Sequence, residues 1–125
     1  MKKLLEKWQK ILNNSILIGV LMYFLTHIII WFQVNLQFIW PWAKENPWTM
    51  SALGLPISYV LIIATKHIVT GFEGLLWPGR LVGFGSGMIV MAILTWAFMG
   101  EGISTKTLVS LVLAITLVML QIFWK

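Results

Sequence analysis

Residues 16–38 read ILIGVLMYFLTHIIIWFQVNLQF, and this stretch decides the solvent of the protein. An α-helix needs about 20 apolar residues to cross the hydrocarbon core of a bilayer. Ile16–Phe38 exceeds that length without a single charged side chain. Working outward, Met50–Val69, Arg80–Met99 and Leu108–Trp124 are each close to the same length and as apolar over most of it. These four spans take up nearly all of the chain. The sequence therefore predicts an all-α membrane protein, a bundle of four transmembrane helices forming one domain over residues 1–125.

Competing folds fit poorly. Membrane β-barrels alternate apolar and polar residues along strands of about ten residues, and these runs do not alternate. Helices of a soluble bundle keep a polar face, which the third and fourth spans lack. Charged residues make up 10% of the chain, against about 25% in soluble domains.

The net charge of +5 does not point to nucleic acid. Four of the nine basic residues, Lys2, Lys3, Lys7 and Lys10, stand just before the first span. That is the positive-inside pattern, which also attracts anionic headgroups. Arg80 and Lys125 join them on the same side of the membrane, and Lys66 can snorkel toward it. Lys44 and Lys106 fall on the other side. We expect an integral protein of a prokaryotic cytoplasmic membrane with both termini cytoplasmic. Its immediate partner is the lipid bilayer, with no nucleic acid. Lysines followed by an apolar run also resemble a signal peptide, but no small-residue cleavage site follows Ile30 and the segment reads as a retained span.

The connections carry their own signals. Trp40-Pro41-Trp42-Ala43-Lys44-Glu45-Asn46-Pro47-Trp48 places three tryptophans where amphipathic rings favour the interface, between prolines that break helix. Pro56 is expected to kink the second span. Gly71–Gly79 reads as a glycine-rich connection that partly re-enters the membrane. Gly100-Glu101-Gly102 is a short turn that forces the last two spans into an antiparallel hairpin.

Few residues are candidates for chemistry. No cysteine is present, so thiol catalysis and cysteine-held metals are excluded. With two histidines, His27 and His67, a metal site is poorly supported. No nucleophile–base set and no phosphate loop occurs, so neither an enzyme nor a cofactor is expected. His27 is the polar residue nearest the middle of the first span, and ionisable groups inside a membrane mark functional sites by default. Its alternative reading is a neutral imidazole bonded to a neighbouring helix, with Tyr23, Thr26 and Tyr59 as candidate partners. Lys66 either anchors at the interface or faces a cavity as a cation. Arg80 either snorkels or acts as a gate or anion-binding charge. Gly79, Gly83 and Gly87 recur every four residues, a small-xxx-small face that admits a close neighbour. That face either packs a helix or lines a substrate path. Ser110 and Ala114 make a weaker packing face on the fourth span.

The segment Gly87–Ser104, GMIVMAILTWAFMGEGIS, leads an apolar helix with a late tryptophan through Gly-Glu, an aliphatic residue and serine into a last apolar helix. It resembles the drug/metabolite transporter superfamily, including its four-span small multidrug resistance members, over residues 80–124. The resemblance implies a protomer that dimerises through its fourth helix, with the first three lining a cavity for a small organic or lipid-linked substrate. His27, Tyr59, Lys66 and Arg80 are then the substrate-binding candidates. Small multidrug resistance members carry a membrane-embedded glutamate in the first helix, whereas this first span has no carboxylate. The charge bias implies a parallel homodimer or an oppositely oriented partner chain. The sequence thus predicts a small transporter or flippase-type subunit. Its alternative is a non-transporting accessory or assembly subunit of a membrane complex.

Overall fold

A computed structural model describes residues 1–124, with the backbone alone at 11–13; Lys125, used above for orientation, lies outside the described residues. Among the described residues there are six α-helices and no strand. Four helical stretches are long and apolar enough to cross a membrane: 2–38, 47–71, 76–99 and 105–123. The protein is an all-α four-helix membrane bundle.

The first stretch is α1, Lys2–Asn35, ending in a 3-10 turn at Leu36–Phe38. Its 34 residues span about 51 Å at 1.5 Å per residue, well beyond the hydrocarbon thickness of about 30 Å. The lysine-rich segment is thus a helical extension of the first span, and residues 2–10 are exposed. Two short helices follow, α2 (Pro41–Glu45) and α3 (Pro47–Ala52). Each opens on a proline, whose fixed φ suits a first helical position and whose missing N–H is not needed there.

The second span is broken three residues ahead of the expected kink at Pro56. Helix α3 stops at Ala52 and α4 runs Gly54–Gly71. Proline has no N–H to give the carbonyl four residues back and its ring crowds that carbonyl. For Pro56 that carbonyl is Ala52, where α3 ends. Leu53 bridges the break, donating to Met50 at 3.2 Å and accepting from Ile57 at 3.2 Å.

The connection to the third span is shorter than expected. Helix α5 covers Leu76–Met99, so Trp77, Pro78 and Gly79 already form its first turn, where proline costs nothing. Residues 72–75 make the turn, with Glu73 at φ 58° and Gly74 at φ 87°. Gly100, at φ 67°, closes α5 in the left-handed conformation that glycine adopts freely. Helix α6, Thr105–Phe123, begins at the Ser104 cap, whose Oγ accepts from the Thr107 N–H at 3.2 Å.

The core lies among α1, α4 and α5, where Tyr23, Ala64, Ile68 and Val82 are buried together. Small residues set its spacing. A Cβ on Gly19 would collide with the Ile68 side chain and stand 3.1 Å from the Ala64 carbonyl oxygen. One on Gly71 would collide with Ile16 and stand 3.1 Å from its backbone nitrogen. Backbones this close gain dispersion contacts that lipid tails cannot match. Helix α6 packs on α5 alone among the described elements.

Candidate functional site

The periodicity of α4 decides where its polar residues go. Ile57, Ala64, Ile68 and Gly71 form the buried stripe, spaced at seven, four and three residues as one helical face requires. Tyr59, Ile62 and Lys66 form an outward stripe, with Tyr59 67% exposed. On α5 the buried residues include Pro78, Gly79 and Val82, which leaves Arg80 exposed. Tyr59, Lys66 and Arg80 therefore do not converge with His27 within the protomer. Of the four candidates only His27 lies between helices, half-buried where α1 meets α5.

The glycine file on α5 is occupied by side chains. Gly79 faces Ile68, Gly83 faces the Tyr23 ring, and Gly87 faces the His27 imidazole. A Cβ on Gly87 would stand 2.9 Å from His27 Cε1. The imidazole thus lies against the bare helix backbone, and a side chain at 87 would require it to shift. Of the three partners expected for His27, Tyr59 lies on the outward stripe and the other two are engaged elsewhere. Tyr23 shares a hydrogen bond of 3.1 Å with Thr65 Oγ1. Thr26, fully buried, donates to the Met22 carbonyl of its own helix at 2.8 Å. The Tyr23 and His27 rings lie 6.4 Å apart and tilted.

One turn further along α1, Trp31 is 3% exposed and its Nε1–H donates to Thr95 Oγ1 at 3.1 Å. Thr95 in turn donates to Met91 Sδ at 3.4 Å. Phe98 lies tilted against Trp31 at 5.8 Å between centroids, and Phe32 meets it edge-on at 5.2 Å. This cluster fixes α1 to α5 just past His27. In an apolar medium an indole N–H needs a partner, so a tryptophan and a threonine deep in two different spans were the available sequence signal for this pairing.

Between His27 and this cluster runs an open groove of about 240 Å³, lined among others by Ile30, Trp31, Asn35, Val90 and Met91. Its backing is Trp31 and Val90, both buried, and Val34 and Met91 edge its mouth. Asn35 and Met91 are residues that the sequence reading did not select. A larger depression of about 520 Å³ lies at the end of the bundle, between Phe38 and Glu45. Every residue of its wall is exposed, so it is a surface recess between short helices.

On α6, Ala114 is buried while Ser110 is exposed and donates to the Lys106 carbonyl at 3.0 Å. The two therefore do not share one packed face within the protomer. Val118 of α6 meets Gly85 instead. Among the described residues no three His, Cys, Asp or Glu side chains gather as a metal site would need. Comparison with protein-family models, curated proteins and solved structures finds no match for this chain.

Proposed function

We propose that this protein is a small transporter or flippase-type subunit that moves a small organic or lipid-linked substrate along the groove between α1 and α5. The observation that carries this reading is the placement of His27. It sits at the centre of Ile16–Phe38, half-buried, against the glycine backbone of a neighbouring span. Polar residues at mid-membrane are retained where they face a partner or a path, and here the path is an open groove.

In this proposal the subunit works as an assembly, a parallel dimer or a pair with an oppositely oriented chain. The groove opens at the protomer surface, and α6 offers a second chain an apolar face. The resemblance of residues 80–124 to drug/metabolite transporters supports the same reading. Both termini are cytoplasmic in it, from the lysines that precede the first span. Single cysteines at Asn46 and Thr105, labelled from each side of intact cells, test the orientation, which requires labelling from outside alone.

The functional test is transbilayer movement of fluorescent lipid-linked and small organic substrates in proteoliposomes. Movement that is lost in His27→Ala and kept in Arg80→Ala supports the proposal, because Arg80 lies outside the groove. Equal rates for wild type, both variants and empty vesicles refute it.

The second reading, an accessory subunit, is favoured by the outward placement of Tyr59, Lys66 and Arg80, which leaves His27 as the titratable group in the groove among the described residues. It requires a stoichiometric membrane partner that co-purifies and whose activity falls when this chain is removed.

A further inference from the structure

Resting on the transport reading of this same groove, we infer that its ligand is a small uncharged amphiphile, an apolar body with hydrogen-bonding groups, and not an organic cation. The residues that line the groove settle the charge. Ile30, Val34, Val90 and Met91 give it apolar walls, Met91 adding a soft thioether. His27 and Asn35 give it two hydrogen-bonding groups. Among the described residues, none that lines the groove is a carboxylate, lysine or arginine.

A cation entering such a site would leave its hydration shell without a counter-charge, which is costly in a medium this apolar. The remaining way to hold a cation is the face of an aromatic ring. Trp31 is the lining residue with such a face, and it is closed off: the ring is 3% exposed, with Phe98 tilted against it and Phe32 at its side. A carboxylate ligand fares no better, since no permanent cation faces it. An uncharged group that donates and accepts hydrogen bonds meets none of these penalties.

The dimensions bound the ligand further. His27 and Asn35 are eight residues apart on α1, about 12 Å along the axis at 1.5 Å per residue. The volume of about 240 Å³ falls just below the usual range for drug-sized ligands, about 300–1,000 Å³. The groove therefore suits a single-ring or short-chain molecule, or one end of a lipid-linked substrate.

The experiment uses the full chain in proteoliposomes and a diazirine-bearing phenylpropanol as photolabel, with the labelled peptides mapped by mass spectrometry. Unlabelled phenylpropanol, its trimethylammonium counterpart and phenylpropanoate serve as competitors. We expect saturable labelling within 27–35 and 87–91. Phenylpropanol should displace it at least about tenfold more effectively than either charged analogue, a factor worth about 1.4 kcal/mol. Met91→Trp, which fills the mouth of the groove, should abolish the saturable labelling. Leu55→Trp, on the exposed side of α4, should leave it unchanged. If either charged analogue competes as well as the alcohol, the charge assignment is overturned while the transport reading stands. If no saturable labelling falls on these residues in wild type, both are overturned.

Discussion

The interfaces of α1 with α4 and of α5 with α6 are built from the same apolar alphabet and are packed to very different extents. Where α1 meets α4, Gly19 and Gly71 bring the backbones together, and Ile68 is fully buried. Where α6 meets α5, Ala114 is buried and Val118 sits against Gly85, yet most of α6 remains exposed. Apolar side chains gain nothing by leaving lipid for one another, since lipid tails are as apolar as leucine. What separates the two interfaces is therefore how closely the backbones approach and how many hydrogen bonds cross between helices. Helices α1, α4 and α5 have both: the Tyr23–Thr65 and Trp31–Thr95 bonds tie them at two levels.

The largest test of this contrast is Gly19→Leu. The new side chain must displace Ile68 and the α4 backbone, and we expect a loss of about 3 kcal/mol, the upper part of the usual overpacking range, read as a lower unfolding midpoint in detergent. A midpoint equal to wild type would break the comparison. Next is Thr95→Val, which keeps the shape and leaves the Trp31 N–H buried without its partner. A cost of about 1–3 kcal/mol follows from that desolvated donor, read from the same unfolding midpoint. Glu73→Gly is smaller and opposite in sign. Glu73 holds a left-handed φ of 58° that costs a side chain about 1–2 kcal/mol. Glycine removes that strain but gives back part through the unfolded chain, so a gain of about 0.5 kcal/mol is expected from the same unfolding curves. Smallest is Leu113→Ala on the exposed side of α6, within about 0.5 kcal/mol for the protomer. It sharpens the comparison through a second measurement. If α6 is an assembly face, the same variant lowers the dimer fraction in crosslinking while the protomer midpoint stays fixed.

Much of the fold was legible from the residues. Span lengths follow from the runs themselves. The short helices at Pro41 and Pro47 stand where the prolines read as helix breakers, and the cap at Ser104 starts the last helix three residues ahead of the expected Leu108. The boundaries that moved did so for local reasons. Pro56 displaced the break back to Leu53, because the carbonyl it crowds lies four residues earlier. Trp77-Pro78-Gly79 read as loop but form a helical first turn, where the absent N–H has no consequence.

The candidate site was less legible. Lys66, Tyr59 and Arg80 were chosen for their chemistry, yet each falls on the outward stripe of its helix. The face a residue occupies is fixed only when the buried stripe is known, and in spans apolar all round the sequence offers no amphipathic pattern to mark that stripe. Asn35 and Met91 carried no motif either; they reached the groove by standing one or two turns from His27 and Gly87.

By itself the sequence determined that the protein lives in lipid, crosses it with four helices, places no carboxylate in its first span and offers a glycine file at the start of its third. Each of these follows from composition and spacing, which act along one helix at a time. Only the tertiary structure decided that Ile68, Tyr23 and His27 fill that glycine file, that Trp31 and Thr95 meet, and that a groove is left beside them. Those outcomes depend on the rotation of each helix about its own axis. That rotation is set by backbone approach and interhelical hydrogen bonds between residues 42 to 64 positions apart, a distance over which no local pattern in the chain carries information.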